Sequence, residues 1–215
     1  MVRVILVRHG QTAWNKVERF RGRKDLPLDE TGRLQAQAAA RYIATSWTPS
    51  VVYTSPLLRS VETAAAIADA CQVEALVNPE LIDIDYGQWQ GLTPDEAAAH
   101  RPGLYQTWLT APQKVGFPDG ESLADVRSRA FASLEKLIRA HAGKTIVVVA
   151  HTVVNRLLLC AILGLDNSRF WRLRQETTAI NVLEWDGGDF TLVTLNDTCH
   201  LRPVSDGGGG SEGPG

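Results

Sequence analysis

Apolar and polar positions along the chain predict strands that alternate with helices. The runs at 2–7 and 145–150 consist almost entirely of apolar residues, many of them Val or Ile, which is typical of strands buried on both faces of a parallel sheet. Six strands are predicted in all, at residues 2–7, 51–54, 73–77, 145–150 and, near the C-terminus, about 179–185 and 190–195. The last two are joined by Asp186-Gly187-Gly188-Asp189, which indicates a hairpin with a four-residue loop.

Amphipathic periodicity and capping residues predict the helices between these strands. Helices are expected over about residues 30–46, 56–71, 122–141 and 153–163, with a short one after the capping box that starts at Thr93. In the first of them, Leu34 shares an apolar face with Ile43. Ser55 and Pro56 are interpreted as an N-cap followed by proline at the first helical position. Residues 101–120, where Pro and Gly recur, are predicted to be irregular.

The order of these elements predicts an α/β fold. Alternating strands and helices imply a three-layer α/β/α sandwich with a mainly parallel central sheet, and the final hairpin adds an antiparallel edge. Residues 1–204 are predicted to form a single domain, because no internal repeat or linker interrupts them. Residues 205–215 contain a run of glycines and no apolar side chain to bury, and they are expected to form a flexible tail.

Composition and charge argue against several functions. The chain has 215 residues, and its 22 Lys and Arg against 24 Asp and Glu give a net charge of −2, which disfavours a dedicated nucleic-acid-binding protein. No apolar run is long enough to predict a membrane span, and the N-terminal run is too short for a signal peptide. The cysteines Cys71, Cys160 and Cys199 lack CxxC spacing, which argues against disulfides or a zinc site and predicts a cytoplasmic protein.

The side chains best suited to chemistry follow the predicted strands where each strand ends. Arg8 and His9 follow the first strand, His151 follows the fourth, and Arg59 lies one turn into the helix after the second. Ligands of an open parallel sheet bind at the carboxyl ends of its strands, so these side chains are expected to converge on one crevice. Arginine forks match phosphate oxygens, which suits a phosphate monoester. A histidine after a buried strand is also often a hydrogen-bonded structural residue, so the spacing alone leaves both interpretations open.

Motifs spread over the whole chain carry a family resemblance. They are Val7-Arg8-His9-Gly10-Gln11-Thr12-Ala13-Trp14-Asn15, Arg21-Gly22, Ser55-Pro56-Leu57-Leu58-Arg59, Asp83-Ile84-Asp85-Tyr86-Gly87, Gly120-Glu121-Ser122 and Val149-Ala150-His151-Thr152. In this order they resemble the histidine phosphatase superfamily, in its phosphoglycerate-mutase-like branch. The resemblance covers nearly the whole chain apart from the tail.

The resemblance implies a role for each of these positions. It makes His9 the nucleophile that takes the phosphoryl group as a phosphohistidine, while Arg8, Arg59 and His151 hold the phosphate. Further binding contacts are implied for Asn15, Arg21, Gly22, Tyr86 and Thr152. Phosphoryl transfer depends mainly on positioning and charge neutralisation, which arginines and a protonated His151 can supply, so neither a metal nor a cofactor is expected. His9 must be neutral on one nitrogen to attack.

The implied proton donor departs from the family pattern. Members of this branch commonly have glutamate where this chain has Asp83, which is one methylene shorter and has a lower reference pKa. Asp83 would need burial or a second carboxylate nearby to hold a proton. Asp85 and Glu80 are weaker candidates, because both point to the opposite face of an extended segment. A turn or capping role is the alternative for Asp83 itself.

A second departure from the family pattern indicates the class of substrate. Ala150-His151-Thr152-Val153 stands where many members have Ser-His-Gly, and it resembles phosphatases of small phosphomonoesters, including metal-independent phosphoserine phosphatases. We therefore expect hydrolysis of a small phosphorylated metabolite, of the phosphoserine, phosphosugar or alpha-ribazole phosphate type, through a phosphohistidine. One alternative is a 2,3-bisphosphoglycerate-dependent phosphoglycerate mutase, although residues 108–114 lack the additional basic pair of the mutases. The other alternative is a catalytically silent phosphate-binding domain.

The surroundings of the site are less well defined by the sequence. Trp89, Trp108 and Phe117 are expected to line the mouth of the pocket.

The expected partner is a small-molecule phosphomonoester, and neither nucleic acid nor a membrane is expected to bind. An exposed apolar helix face or sheet edge would support a homodimer.

Overall fold

The computed structural model describes residues 1–16 and 19–202. The strands in this part of the chain are β1 (Val2–Arg8), β2 (Val52–Thr54), β3 (Ala75–Val77), β4 (Thr145–Ala150), β5 (Ile180–Trp185) and β6 (Phe190–Asp197). The α-helices are α1 (Ala13–Lys16), α2 (Glu30–Ser46), α3 (Leu58–Cys71), α4 (Pro94–His100), α5 (Pro102–Thr110), α6 (Leu123–Ala140) and α7 (Thr152–Ile162). Every predicted strand is present, with ends within a residue or two of those expected.

The strands form one sheet in the order β3-β2-β4-β1-β5-β6. The first four run parallel, whereas β5 is antiparallel to both β1 and β6. The prediction of a mainly parallel sheet with an antiparallel edge hairpin is therefore confirmed. Because Arg8 pairs with Ala150 in the register of β1 and β4, the residues that follow these two strands emerge side by side.

Helices cover both faces of the central strands. In β1, Val4 and Leu6 belong to an apolar cluster with residues of α6 and α7, whereas Ile5 and Val7 belong to a second cluster with residues of α2 and α3. Side chains alternate along a strand, so the two sets lie on opposite faces of the sheet. This arrangement is the expected three-layer sandwich, and it explains why β1 and β4 are almost wholly apolar.

The start of α3 differs from the prediction. The helix begins at Leu58, with Leu57 rather than Ser55 at the N-cap position. The Asp25 carboxylate accepts the N–H of Leu58 at 2.7 Å and so replaces a local cap. The Ser55 hydroxyl lies instead 2.7 Å from Nε2 of His151. The Ser55 side chain therefore contacts His151, far along the chain, instead of capping the helix as the local pattern predicted.

The start of α2 packs closely against the loop that follows β1. Asp29 caps this helix by accepting the N–H of Gly32 at 2.8 Å. A Cβ atom at Gly32 would lie 2.0 Å from the carbonyl oxygen of Gln11, so only glycine allows this approach. The predicted apolar face of α2 is wrong at Leu34, which is 62% exposed, because the small residues Ala36 and Ala40 form the buried stripe with Ile43.

The segment 101–120 is more regular than predicted. It contains α5, which starts at Pro102, where the missing N–H of proline costs no helical hydrogen bond. Burial of Trp108 against the main apolar cluster holds this helix in place. The capping box at Thr93 is present as predicted.

Two further predictions concern the C-terminal tail and membrane-spanning helices. The predicted tail, residues 205–215, lies outside the described residues, so its flexibility stays a prediction. Within residues 1–16 and 19–202, no helix is long and apolar enough to cross a membrane.

Candidate active site

The two strand-end histidines lie next to each other. The N–H of His9 donates to the carbonyl of Ala150 at 3.0 Å, which extends the pairing of β1 and β4 by one residue. The rings of His9 and His151 have centroids 5.2 Å apart, and both side chains are buried. The register of two neighbouring parallel strands thus places both imidazoles at one edge of the sheet.

His9 is held as a neutral imidazole with a lone pair on Nε2. Its Nδ1 lies 2.7 Å from the carbonyl oxygen of Gly10, which can only accept a hydrogen bond, so Nδ1 carries the proton. Nε2 then accepts from Nε of Arg59 at 3.3 Å. Burial, and next the positive charge of Arg59, lower the pKa of His9 well below its usual value. These are the protonation state and tautomer that an attacking nitrogen needs.

Arg59 connects His9 to two other parts of the site. Its guanidinium is fully buried and donates to the carbonyls of Gly22 and Lys24, both at 2.8 Å. It also lies 3.2 Å from Oδ2 of Asp83. A buried cation is tolerated when it is paired and its protons are satisfied, and here the pairing fixes the position of His9 relative to Asp83.

Asp83 is the carboxylate that reaches the histidines. Its Oδ2 lies 3.7 Å from Nδ1 of His151, and its Oδ1 accepts the N–H of Ile84 at 3.0 Å. Burial raises the pKa of Asp83, although Arg59 and Arg21 oppose the shift. A raised pKa suits a group that must carry a proton to a leaving alcohol.

The other two carboxylates weighed as donors point elsewhere. The carboxylate of Asp85 pairs with Arg23 at 3.4 Å and accepts the N–H of Gly87 at 2.8 Å. Glu80 is exposed. Alternation along the extended segment separates Asp83 from Asp85, whereas Glu80 lies in the 3-10 turn Pro79–Leu81 that precedes it.

A partly buried arginine on α6 supports the segment that carries Asp83. Arg129 donates to the carbonyls of Glu80, Ile82 and Asp83, at 2.6, 2.7 and 3.2 Å. It also pairs with Glu121 at 2.9 Å. One guanidinium thereby fixes the backbone on both sides of the carboxyl group, a role that the sequence pattern did not reveal.

The surroundings of His151 favour the neutral imidazole rather than the expected cation. Burial lowers its pKa well below the usual value, and the charges of Arg59, Arg21 and other arginines add to this effect. Its Nδ1 is buried and has no hydrogen-bond partner among the described residues. A bound phosphate dianion would supply both the missing acceptor and the negative charge that favours protonation.

Three further predicted residues present unused donors or acceptors. The Nε atoms of Arg8 and Arg21 and Oγ1 of Thr152 are buried and lack hydrogen-bond partners within the part of the chain that the structure describes. Arg8 is oriented by a 2.6 Å hydrogen bond from Nη1 to the carbonyl of Gln175. Burial, followed by repulsion from Arg21 and Arg156, lowers the pKa of Arg8 to about 9.

These residues line one cavity of about 370 Å³. Arg8, Arg21, Gly22, Asp83, Tyr86 and Thr152 contribute to its wall, and the side chain of Asn15 lies outside the described residues. Burial raises the pKa of the Tyr86 hydroxyl, which therefore stays a neutral hydrogen-bonding group. Trp108 also lines this cavity.

Two aromatic residues expected at the mouth lie elsewhere. Trp89 and Phe117 are buried in the main apolar cluster, where their rings pack edge-on with centroids 5.3 Å apart. Phe117 also packs against Tyr86 at 4.9 Å, so the pair forms a support behind the cavity wall rather than its opening. Trp171, which was not predicted, lines the cavity instead.

A family model matches most of the chain. The model of the histidine phosphatase superfamily, branch 1, matches residues 4–198. The chain belongs to the histidine phosphatase superfamily. The sequence resemblance to this family is thereby confirmed, and the chain is a phosphatase of this superfamily.

Relatives of this histidine phosphatase support the assignment. Phosphoserine phosphatase 1 of Hydrogenobacter thermophilus is 38% identical over 201 residues, which cover 94% of this chain and 95% of the relative. The structure of YhfR from Bacillus stearothermophilus aligns with a TM-score of 0.90 at 28% identity, over 94% of this chain and all of that one. A phosphoserine phosphatase from Entamoeba histolytica, solved in complex with phosphoserine, aligns with a TM-score of 0.83 at 28% identity, with the same coverage.

The charge of this histidine phosphatase site comes from side chains. Among residues 1–16 and 19–202, no group of three or more His, Cys, Asp or Glu side chains is arranged to hold a metal ion. The guanidinium groups described above, among them those of Arg8 and Arg21 with their unpaired Nε atoms, are available to bind a phosphate.

Proposed function

We propose that this enzyme hydrolyses phosphomonoesters of small metabolites through a phosphohistidine on His9. One observation carries the proposal: Nε2 of a neutral His9 belongs to a buried cluster with Arg59, Asp83 and His151. Of these four residues, Asp83 lines the cavity, and the other three lie behind its wall. The nucleophile, the proton donor and the phosphate-binding groups are then present in contact with one another.

In the first step the phosphoryl group moves to the enzyme. The lone pair on Nε2 of His9 forms the N–P bond as the ester P–O bond breaks, and Asp83 gives its proton to the departing oxygen. Arg59 releases Nε2 and donates to a phosphoryl oxygen instead. Arg8 and His151 hold the other oxygens, with further contacts from Asn15, Arg21, Gly22, Tyr86 and Thr152.

In the second step water regenerates the enzyme. The water oxygen attacks phosphorus, its proton passes to the Asp83 carboxylate, and the N–P bond breaks with its electron pair returning to Nε2 of His9. Inorganic phosphate then leaves, and Asp83 is again protonated for the next cycle. Asp83 is the acid in the first step and the base in the second. His9 is the nucleophile in the first step and the leaving group in the second.

The substrate class follows from the relatives and from the size of the cavity. Relatives are named for phosphoserine, and a solved structure that is 28% identical is named as a glucosyl-3-phosphoglycerate phosphatase. A cavity of about 370 Å³ is in the range of small-molecule sites. We propose a substrate of the phosphoserine, phosphosugar or alpha-ribazole phosphate type.

Trapping the phosphoenzyme tests this proposal. Rapid quenching with a labelled phosphomonoester, in EDTA and without added metal, should leave an acid-labile, base-stable phosphate on the wild type and none on His9→Ala. The exposed His100 provides the control, since His100→Ala should be labelled like the wild type. Turnover by His9→Ala at the wild-type rate would exclude this mechanism, and a wild type without label or turnover would favour a silent phosphate-binding domain.

The mutase alternative differs only in what attacks the phosphohistidine. A mutase would pass the phosphoryl group to an alcohol of phosphoglycerate instead of water. Residues 108–114 contribute Trp108 to the cavity wall but no basic pair to hold a second acidic group. Following 3-phosphoglycerate by phosphorus NMR separates the two, because release of inorganic phosphate without 2-phosphoglycerate identifies the phosphatase.

We also propose a cytoplasmic homodimer that does not bind nucleic acid. Cys71, Cys160 and Cys199 are free thiols, which supports a reducing compartment. On the edge strand β6, Val193 and Leu195 are 54% and 43% exposed and offer an apolar surface to a second copy. The small net charge of −2 supports the absence of nucleic acid binding.

A further inference from the structure

Arg156 lines the cavity beside the proposed catalytic residues, and its guanidinium is held in a fixed orientation. It lies on α7, four residues and so about one turn beyond Thr152. Its Nε donates to the carbonyl of Leu173 at 2.6 Å. Its Cζ stands 5.0 Å from the ring centroid of Phe170 and 5.2 Å from that of Trp171. The backbone contact and the two rings fix the guanidinium, while neither Nη atom has a hydrogen-bond partner among the described residues.

No carboxylate within residues 1–16 and 19–202 forms an ion pair with Arg156. By contrast Arg19, which lines the same cavity, lies 3.5 Å from the carboxylate of Glu96. Burial lowers the pKa of Arg156, although nearby Tyr86 and Glu176 oppose the shift. A largely buried cation without a counter-ion is unfavourable, and an anionic ligand in the cavity would remove that cost.

Arg156 is distinct from the group that surrounds the nucleophile. Arg8 and Arg59 act directly on the pKa of His9, whereas Arg156 acts on Arg8 across the cavity. The repulsion between Arg8 and Arg156 would be relieved by a ligand that brings negative charge to both. Such a ligand would carry its phosphoryl group beside His9 and a second anion further along α7.

We propose that Arg156 binds a carboxylate in the leaving group, so that the enzyme prefers phosphomonoesters of short carboxylic acids. Two Nη donors in one plane match the two oxygens of a carboxylate. One guanidinium balances the single charge of a carboxylate, whereas a second phosphate would call for more cations. Four residues of helix correspond to about 6 Å, which is short enough for a few carbon atoms to link the two anions. This inference rests on the proposed function.

Matched substrates test the carboxylate site. O-phosphoserine and O-phosphoethanolamine differ only in the carboxylate, and 3-phosphoglycerate and glycerol 3-phosphate form a second pair. The wild type should prefer the carboxylated member of each pair in kcat/KM by about 10- to 100-fold, the size expected for a charge-assisted hydrogen bond. In Arg156→Met this ratio should fall toward one, through a higher KM for the carboxylated member and little change in kcat.

Two further variants control for packing and charge. Arg19→Met removes a cavity-lining arginine that already has a carboxylate partner, and it should preserve the ratio. Arg156→Lys keeps the positive charge but not the planar fork, so it should retain part of the preference. If Arg156→Met does not fold, a KM increase in Arg156→Lys confined to carboxylated substrates supports the proposal, and unchanged KM values contradict it.

Other results would overturn the carboxylate site without touching the proposed function. A wild type that hydrolyses p-nitrophenyl phosphate through a His9 phosphoenzyme, yet treats both members of each pair alike, has no carboxylate site. Equal losses on both members in a folded Arg156→Met would assign Arg156 to phosphate binding instead. Failure to detect any phosphoenzyme would remove the proposed function itself.

Discussion

The hydroxyl of Ser55 lies 2.7 Å from Nε2 of His151, where strands β2 and β4 end beside each other. The contact orients the ring so that Nδ1 lies 3.7 Å from Oδ2 of Asp83. Nδ1 is thereby left as the atom available to a phosphate oxygen. We therefore predict that Ser55 is a positioning residue, which acts on the substrate only through the orientation of His151.

Loss of this hydroxyl should weaken phosphate binding. We expect Ser55→Ala to lower kcat/KM for p-nitrophenyl phosphate about 2- to 10-fold, as for a neutral hydrogen bond, and to weaken inhibition by inorganic phosphate. Nitrogen NMR of His151 should report a changed ring environment in the same variant.

Ser60 is the matched control for this prediction. Its hydroxyl is also buried, but it donates to the carbonyl of Val149 at 2.9 Å rather than to an imidazole. Ser60→Ala should therefore reduce the free energy of unfolding and leave phosphate inhibition unchanged. Equal weakening of phosphate inhibition in both variants would show that Ser55 has only a packing role.

The convergence of His9 and His151 could be predicted because it depends on regular geometry. Both follow strongly apolar strands, and parallel neighbours in one sheet end at the same edge. The position of Arg59 is similarly set by the helix that follows β2. The positions of these residues relative to the predicted strands and helices predicted their convergence. Their chemical roles were predicted from the motifs around them.

The remaining features depend on contacts between distant parts of the chain. The partner of Ser55 is 96 positions away, so its local pattern resembled a helix cap. The aromatic character of Trp89 and Phe117 could not distinguish a cavity wall from the core behind it, and both are buried. Arg129 and Arg156 look like ordinary polar positions of amphipathic helices until the segments packed against them are known.

The role of Arg129 as a support for Asp83 predicts a selective defect. In Arg129→Met, three backbone carbonyls and Glu121 lose a donor, so the segment carrying Asp83 should become less well fixed. We expect hydrolysis of an alkyl phosphate, which needs a well-placed proton donor, to slow by about tenfold or more. Hydrolysis of p-nitrophenyl phosphate should slow much less.

Arg127 is the matched control on the same helix. It donates to the carbonyl of Leu165 at 2.6 Å and to Asn167 at 2.9 Å, and so it fixes a different loop. Arg127→Met should reduce stability without changing the ratio of alkyl to aryl hydrolysis. An unchanged ratio in Arg129→Met as well would mean that Arg129 does not position Asp83.

The two buried histidines predict how stability depends on pH. The pKa values of His9 and His151 are well below 6.5 in the folded chain, first because of burial and then because of Arg59. Between these lowered values and about 6.5, the unfolded chain binds more protons than the folded chain. The free energy of unfolding should therefore decrease as pH falls below about 6.5, by up to ~1.4 kcal/mol per pH unit for each histidine.

Urea unfolding between pH 5 and pH 7.5 measures this slope. His9→Asn should reduce it, whereas Ser60→Ala, which lowers stability without removing an imidazole, should leave it unchanged. The raised pKa of Asp83 acts with the opposite sign, since that carboxyl group binds its proton more tightly in the folded chain. A wild-type stability that is flat below pH 6.5 would contradict the assignment of two neutral buried histidines.

Asp83 predicts a dependence on the leaving group. An alkyl alcohol needs a proton as the P–O bond breaks, whereas p-nitrophenolate leaves almost unaided. Asp83→Asn keeps the outline of the side chain and can still contact Arg59, which lies 3.2 Å from Oδ2, but it cannot supply the proton. General acid catalysis typically contributes about 10²–10⁴-fold, so the variant should slow alkyl phosphate hydrolysis by a factor in this range and p-nitrophenyl phosphate hydrolysis far less.

The pH–rate profile gives the second measurement of Asp83. Because burial raises the pKa of this carboxyl group, the wild-type rate on an alkyl phosphate should fall as pH rises through that raised value, and Asp83→Asn should lose this limb. Rapid-quench labelling of His9 by p-nitrophenyl phosphate should persist in the variant, which shows that the nucleophile is intact. If Asp83→Asn slows both substrates equally, Asp83 positions the phosphate through Arg59, and the proton must come from another group at the cavity.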